Sequence, residues 1–556
     1  MPEQRRRNQT AARNFSMTAK PHARLCVPVC VRRAAGLREA VARAAEVADF
    51  LELRLDCLAD EDELERAMHA ELPALFRART RPFILTFRSA AQRGVQTSNT
   101  EPQTASLQSH PADIERRARF FAETFAPGRE LADYADLELD LAEFLQTEET
   151  RARAPLVDWN KVICSHHDFA ELPPDLDGLY ARMLRTPARI LKLAVRASDI
   201  TDCLPVLALL ERARRDGREL IAVSMGEAGL LTRILAPARG AFLTYGALTP
   251  DDSTAPGQIT ARELHTLYRL REINERTEIM GLVGAPVAHS LSPHMHNAAF
   301  AARSLDAVYI PFETADVRRF IRRMAHPGRR ELAWNLRGLS VTAPHKSAVL
   351  PELDFVEPAA REIGAVNTVV IEDDSLRGYN TDAQAALLPL AGRVRLHGAR
   401  VAVVGAGGAA RAVLWSLREA GAHPTVYARD TERARPTAAT FDAGCSALND
   451  AARFADFDLV INTTPLGTRG TREAETPATV LQLRGARFAY DLVYNPRETR
   501  FMREARAAGC EVIFGGLPML VAQAAAQFKL WTRTDAPFAV MQAAAEEKLS
   551  KAEVKG

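Results

Sequence analysis

Two lysines stand where a lysine can do chemistry, and their settings differ. Lys192 lies in Arg-Ile-Leu-Lys-Leu-Ala-Val, a short apolar run with the composition of a buried strand. An ammonium is costly to bury, so an amine held in such a place is available as a nucleophile. Lys346 closes Ser-Val-Thr-Ala-Pro-His-Lys, at the exit of a second strand. A lysine there, beside a loop carboxylate, stays charged and moves protons. Two such settings suggest two active sites in series.

The elements that must hold Lys192 are legible. Between Leu25 and Tyr245, eight apolar runs alternate with amphipathic stretches such as Gly36–Ala48 and Ile114–Phe125. The runs are Leu25–Val31, Phe50–Leu53, Phe83–Phe87, Tyr134–Leu139, Lys161–Ser165, Ile190–Ala194, Leu220–Ser224 and Phe242–Tyr245. Eight strand–helix units in about 220 residues predict a (β/α)8 barrel, whose strand C-terminal ends converge on one mouth. Read at those ends, the chain offers Glu52, Arg54, Arg88, His167, Lys192, Met225 and Arg233, then Thr254 and Gln258 after the last strand. His166, beside His167, must face the other way because strand side chains alternate. A snorkelling lysine and rim salt bridges are the ordinary alternatives for single members of this set.

A charged helical segment, Leu264–Arg276, ends the barrel, and a new pattern starts at Ile279. Ile279–Val283 reads as a strand, followed by a loop to Pro293 and a helix from His294. Ser290 and Ser292 offer hydroxyls at that helix start, a setting suited to a carboxylate. Farther on, Val401-Ala-Val-Val-Gly-Ala-Gly-Gly-Ala-Ala is a strand, a glycine turn and a helix start, with a second strand at Thr425–Tyr427. Gly405, Gly407 and Ala410 are its fingerprint positions, and the turn Gly405, Ala406, Gly407, Gly408, Ala409 is expected to cradle a pyrophosphate. After the second strand come Arg429 and Arg433, which suit a 2′-phosphate and favour NADP; Asp430 between them could repel it or pair with an arginine.

With 556 residues, 47% hydrophobic and 26% charged, the chain is an ordinary globular protein of several domains. A net charge of +2 implies no nucleic-acid partner. No apolar run approaches the length of a membrane span. Only the start is lopsided: Arg5, Arg6, Arg7, Arg13, Lys20 and Arg24 face the single acid Glu3. That stretch has no apolar h-region and is read as a disordered tail, residues 1–22, with a transit peptide as the alternative. The 7 cysteines are scattered without metal-ligand spacing, so no metal is expected, and reduced thiols in a cytoplasmic protein are.

Further motifs follow Lys346: Gly364-Ala-Val-Asn-Thr, Gly378-Tyr-Asn-Thr-Asp, Asn462-Thr-Thr-Pro-Leu-Gly, Asp491-Leu-Val-Tyr-Asn-Pro and Gly515-Gly-Leu-Pro-Met-Leu-Val-Ala-Gln. In order and spacing these blocks make residues 278 to 545 resemble shikimate dehydrogenase. The resemblance implies that Lys346 and Asp382 flank the ketone being reduced and handle its proton while NADPH delivers hydride. It implies substrate contacts from Ser290, Ser292, Thr342, Asn367, Thr381, Tyr494 and Gln523, and adds Asn462, Thr463 and Gly516 to the cofactor contacts.

The barrel, from about Ala23 to Leu270, resembles type I 3-dehydroquinate dehydratase. The matching blocks are Leu51-Glu-Leu-Arg-Leu-Asp, Thr86-Phe-Arg-Ser, Ser165-His-His-Asp-Phe, Leu191-Lys-Leu-Ala, Ser224-Met-Gly-x-x-Gly with Arg233, and Ala255-Pro-Gly-Gln. The resemblance implies an imine on Lys192 and an acid/base role for His167. Arg233 is the expected partner of the substrate carboxylate, Arg54 and Arg88 hold its oxygens, and Glu52 orders the charges around Arg54. The sequence departs from the family pattern in three places. Gln92 stands where an acid is usual, Thr254 replaces a serine, and Arg189 stands at an often acidic position. With Arg196, Arg189 would put positive charge near Lys192.

Together the resemblances imply a bifunctional enzyme of the shikimate pathway. It would dehydrate 3-dehydroquinate to 3-dehydroshikimate and reduce that to shikimate. The expected domains are a barrel at 23–272, a shikimate-binding lobe at 278–385 completed by helices at 517–550, and a Rossmann NADP lobe at 386–516. Two rivals are a quinate-preferring dehydrogenase half and a degenerate metabolite-sensing regulator. Ser290 and Thr381 weigh against the first. The presence of Lys192, His167, Lys346 and Asp382 weighs against the second.

Overall fold

The structure, a computed structural model, describes residues 23–89, 110–125, 131–147 and 157–553. The expected tail, and Gln92 with most of the polar segment after it, lie outside these residues. The eight apolar runs form eight parallel strands: β1 (Leu25–Val29), β2 (Phe50–Arg54), β3 (Phe83–Thr86), β4 (Tyr134–Glu138), β5 (Val162–Asp168), β6 (Ile190–Arg196), β7 (Glu219–Met225) and β8 (Thr244–Tyr245). They pair in the order β7-β6-β5-β4-β3-β2-β1-β8, and the Phe242 N–H donates to the Leu220 carbonyl at 2.9 Å where β8 approaches β7. Both faces of each strand are covered, which is why the runs are nearly continuous in apolar residues.

Two apolar layers result. Outward residues such as Leu51, Leu85, Leu191 and Leu193 pack under the surrounding helices, among them Leu37–Ala45, Pro111–Thr124 and Cys203–Arg215. Inward residues Phe50, Ile84, Ile163, Ile190 and Ile221, with Tyr134, fill the barrel floor. That floor leaves only the upper end of the barrel for polar side chains.

One expectation fails here. Cys30 and Cys57 form a disulfide, while Cys26, Cys164, Cys203, Cys445 and Cys510 are free. The two bonded residues are 27 positions apart in sequence. Parallel pairing of β1 with β2 brings the loops after both strands to the same end of the sheet. Sequence spacing alone does not report that proximity.

The second half contains two sheets. The first has the order β10-β9-β11-β13-β14-β12, from β9 (Glu278–Gly284), β10 (Ala307–Glu313), β11 (Leu336–Val341), β12 (Phe355–Val356), β13 (Thr368–Glu372) and β14 (Ser375–Tyr379). Helices Leu517–Thr532 and Phe538–Glu553 return to it from the end of the chain, burying Val521, Phe528, Met541 and Leu549 against Met280 and Phe300. Gly338 makes room for this return, since a Cβ there would sit 2.3 Å from the Trp531 indole nitrogen.

The second sheet is wholly parallel, from β15 (Arg400–Val404), β16 (His423–Ala428), β17 (Gly444–Ala447), β18 (Leu459–Asn462), β19 (Phe488–Asp491) and β20 (Val512–Phe514). Its order, β17-β16-β15-β18-β19-β20, reverses direction between β15 and β18. Ligands bind doubly wound sheets at that switch point. The barrel and the first sheet also share one apolar cluster, running from Leu231 and Leu235 to Phe312, Phe320 and Trp334.

Candidate active sites

Period-two alternation decides which side chains meet inside the barrel. Counting up from the floor, the inward positions are Glu52 and Arg54, Thr86 and Arg88, Asp136 and Glu138, Ser165 and His167, then Lys192 and Ala194. A cavity of about 40 Å³ remains at their top. Its lining brings together Glu52, Arg54, Arg88, His167, Lys192, Met225, Arg233, Thr254 and Gln258. His166 does not line it.

Lys192 is 3% exposed. Its Nζ donates to Asp136 Oδ2 at 2.6 Å and to Glu52 Oε1 at 3.1 Å, and lies 4.5 Å from the centre of the Tyr245 ring. Burial pushes the Glu52 carboxyl up, but the charges of Lys192, Arg88 and Arg54 outweigh it and hold the group down at about 2. Glu52 also accepts from the Thr86 hydroxyl at 2.8 Å. It is therefore a fixed anion.

The cations around this pair are held in three ways. Arg54 is locked by two parallel bonds to Asp56, at 2.9 and 2.7 Å. Arg88 donates to His167 Nε2 at 2.8 Å, which leaves the imidazole proton on Nδ1, without a partner among the described residues. Burial, then Arg88 and Lys192, drives the His167 pKa well below its ordinary value, so the ring is neutral at neutral pH. Arg233 is different. It is 1% exposed, meets only the Tyr245 and Pro256 carbonyls at 3.5 and 3.4 Å, and has no carboxylate partner among the described residues. Burial alone lowers its pKa to about 10 against a small opposing pull from Glu227. A desolvated guanidinium without a counter-ion is a site for an anion. The Thr254 N–H donates to Gln258 Oε1 at 2.8 Å, and their segment is half-exposed, unlike the strands it covers.

The second site is a cleft of about 530 Å³ where the two lobes of the second half face each other. Lys346 Nζ donates to Asp382 Oδ2 at 2.5 Å. Asp382 Oδ1 accepts from Asn367 Nδ2 at 2.8 Å, and the Thr381 N–H donates to Asn367 Oδ1 at the same distance. Ser290, Ser292, Thr342, Tyr494 and Gln523 reach the same cleft from other elements. Thr381 supports Asn367 from behind and is not itself part of the lining.

On the nucleotide side, Gly405 has φ +111°, and a Cβ there would lie 2.6 Å from Thr463 Oγ1. Only glycine fits this turn. Gly407 is followed by open space, and helix Gly408–Glu419 starts immediately after it. Ala409 and Gly516 line the cleft, with Ala406 in the turn between the glycines. Arg429 and Arg433 are exposed, and neither is in an ion pair with a described residue. Asp430 is spent on capping: its carboxylate accepts from the Arg433 N–H at 3.0 Å. A glycine turn at the switch point, a free helix start and two unpaired guanidinium groups fit a dinucleotide with a 2′-phosphate.

Among known proteins, residues 25–275 match the family Type I 3-dehydroquinase. Residues 282–369 match the shikimate dehydrogenase substrate binding domain, and residues 516–546 the shikimate 5′-dehydrogenase C-terminal domain. The bifunctional 3-dehydroquinate dehydratase/shikimate dehydrogenase of Arabidopsis thaliana, described as chloroplastic, is 32% identical over 535 residues, 92% of this chain and 82% of that protein. The chain belongs to this bifunctional family. A shikimate dehydrogenase (NADP(+)) of Moorella thermoacetica is 46% identical over 290 residues, covering 50% of this chain and 96% of its own length. A solved shikimate 5-dehydrogenase of Thermus thermophilus, in complex with NADP(H) and shikimate, is 38% identical over 48% of this chain and 98% of its own, with a TM-score of 0.42.

The protein is thus a bifunctional shikimate-pathway enzyme, with a dehydratase module ahead of a dehydrogenase module. Several sequence expectations need correction against its geometry. The charges next to Lys192 are carboxylates; Arg189 pairs with Glu219 at the opposite end of the strand. Glu52 engages Lys192 and Arg88, while Arg54 belongs to Asp56. Asn462 does not face the cleft: it is fully buried and shapes its own loop through Asp491 and Thr464. Thr463 lies beside Gly405 and donates to the Val404 carbonyl at 2.7 Å.

Sequence reading also missed Asp136, Glu138 and Tyr245 in the dehydratase module, and Ser340 and Gln527 in the dehydrogenase cleft. Burial raises Glu138 to about 7 against the opposing charge of Arg117, which donates to it at 2.6 Å. Inward parity with Tyr134 was the signal for both acids of β4. Ser340 donates to Gln527 at 2.8 Å, a pairing 187 residues apart that no local pattern reports.

Proposed function

We propose that Lys192 condenses with the ketone of 3-dehydroquinate, losing water to give an iminium. The electron-poor carbon acidifies the neighbouring C–H, and His167 takes that proton, leaving an enamine. The enamine expels the β-hydroxyl as water, protonated by His167, and hydrolysis of the product imine returns the lysine. Asp136 and Glu52 hold the Nζ hydrogens in a fixed direction. Arg233 receives the substrate carboxylate, and Arg54, Arg88, Thr254 and Gln258 its hydroxyls.

In the dehydrogenase module, bound NADPH supplies hydride to the carbonyl carbon of 3-dehydroshikimate. Lys346 gives the carbonyl oxygen a proton, and Asp382 keeps the lysine charged and aimed. Ser290 and Ser292 take the carboxylate, with Thr342, Asn367, Tyr494 and Gln523 on the remaining oxygens. Arg429 and Arg433 take the 2′-phosphate. NADP is also the cofactor named for the Moorella relative. For location we keep the cytoplasm, supported by five free cysteines; the Cys30–Cys57 disulfide and the chloroplastic Arabidopsis relative weigh against it.

The observation that carries the dehydratase reading is a buried amine and a buried, unpaired guanidinium lining one cavity. Borohydride added with 3-dehydroquinate should leave a reduced adduct on the peptide containing Lys192. Mass spectrometry that found the label elsewhere, or none, would overturn the imine.

A further inference from the structure

The strand carrying Lys192 runs on into a loop that reaches the other module. In that loop Asp199 divides its carboxylate. Oδ1 accepts from the Thr201 N–H and hydroxyl, at 2.9 and 2.8 Å, fixing its own turn. Oδ2 crosses to the dehydrogenase module, where it accepts from the Thr314 hydroxyl at 2.7 Å and the Ala315 N–H at 3.3 Å. Thr314 follows β10 and is 1% exposed. Its N–H donates to the Gly284 carbonyl at 3.1 Å, and its own carbonyl accepts from His345 Nε2 at 2.8 Å. His345 is buried and immediately precedes Lys346.

Two other polar contacts between the modules do not involve the segment that carries Lys346. Arg239 donates to the carbonyl of exposed Ala333, and exposed Arg319 lies 3.9 Å from Asp202. The Asp199–Thr314–His345 series instead ends one residue from the amine that meets Asp382. A carbonyl can only accept, so the bond also fixes the His345 tautomer with its proton on Nε2. The His345 bond is buried and the Asp199–Thr314 bond part-buried; bonds so shielded are costly to leave unmade, so they hold a backbone in place.

We propose that Asp199 and Thr314 are positioning residues for the dehydrogenase. Through His345 they hold residues 342 to 346 so that Lys346 Nζ is aimed at Asp382 and the substrate. The dehydratase barrel is then a structural part of the second active site. This rests on the role given to Lys346 above.

The test uses the full-length enzyme. Thr314→Val keeps the bulk of the side chain and removes the hydroxyl. The kcat for shikimate oxidation should fall about tenfold, with the KM for shikimate changed less than about twofold and dehydratase kcat/KM unchanged. The solvent deuterium isotope effect on kcat should rise, because a misaimed lysine slows the proton step. Thr314→Ser should restore both. Asp199→Asn should behave like Thr314→Val, and the double variant should be no worse than the poorer single one. An unchanged kcat and isotope effect in folded Thr314→Val would overturn the proposal. So would equal losses of both activities with a lowered melting temperature, the signature of a docking contact alone. Lys346→Ala separates the two readings: if it spares reduction, the role of Lys346 falls; if it abolishes reduction while Thr314→Val does nothing, only the positioning role falls.

Discussion

The two sites solve opposite problems with the same residue type. The barrel pocket has about 40 Å³ of free space, and its walls are buried ions already paired with one another, apart from Arg233. The cleft of the dehydrogenase module has about 530 Å³ and one central ion pair, with Lys346 18% exposed. The covalent intermediate proposed on Lys192 would be a single tethered guest, and it would gain from a dry site whose charges are fixed in advance. A redox reaction between two dissociable molecules needs an opening wide enough for both. The segment bearing Thr254 and Gln258 covers the barrel mouth and is half-exposed, unlike the buried strands beneath it.

The largest effects should come from taking one lysine at a time. Lys192→Ala should abolish dehydration and leave shikimate oxidation intact. Lys346→Ala should lower oxidation by roughly 10²–10⁴-fold, the range for a lost proton-transfer group, with dehydration untouched. Assays of both reactions on each purified variant check this, with circular dichroism to confirm folding. If either substitution removed both activities from folded protein, the division into two independent chemistries would be wrong.

How far this comparison could be read from sequence differs between the sites. The eight barrel strands were visible because each is an apolar run, and the mouth residues because strand ends share one side of a barrel. Asp136 escaped because it sits in mid-strand, where an acid among apolar neighbours looks like an interruption. Its place is dictated by alternation from Tyr134, a rule applied to strand ends but not to strand interiors. The dehydrogenase motifs were legible as blocks, yet Asn462 was assigned outward when its amide is needed inside its loop. Polar residues in turns have two competing uses, and spacing does not separate them. Partners such as Gln527 for Ser340, and Cys57 for Cys30, depend on how distant elements pack, which no window of sequence contains.

The nucleotide end of the cleft offers a smaller effect. Arg429 is exposed and free of ion pairs with described residues, so Arg429→Ala should leave the fold unchanged. It should raise the KM for NADPH by about tenfold, the value of one charge-assisted phosphate contact, while the KM for NADH moves little. A constant NADPH/NADH ratio would remove this arginine from phosphate recognition and leave the task to Arg433.

The smallest effect is a pH dependence that should be nearly flat. His167 is held well below its ordinary pKa by burial and by Arg88 and Lys192. A lowered pKa means the ring stays neutral as pH falls, so a reaction that needs neutral His167 keeps its rate. An unperturbed histidine would lose about three-quarters of its neutral form on going from pH 7.5 to 6.0, whereas dehydratase kcat/KM should change less than about twofold over that interval. One other group of this module can produce a slope there. Glu138, raised to about 7 by burial, takes up a proton as pH falls through neutrality, weakening its pairing with Arg117. In Glu138→Gln that slope should vanish, because the variant is neutral throughout. A fourfold loss that survived in Glu138→Gln would instead return an ordinary pKa to His167, and the pocket could not then be as dry as its buried, unpaired Arg233 indicates.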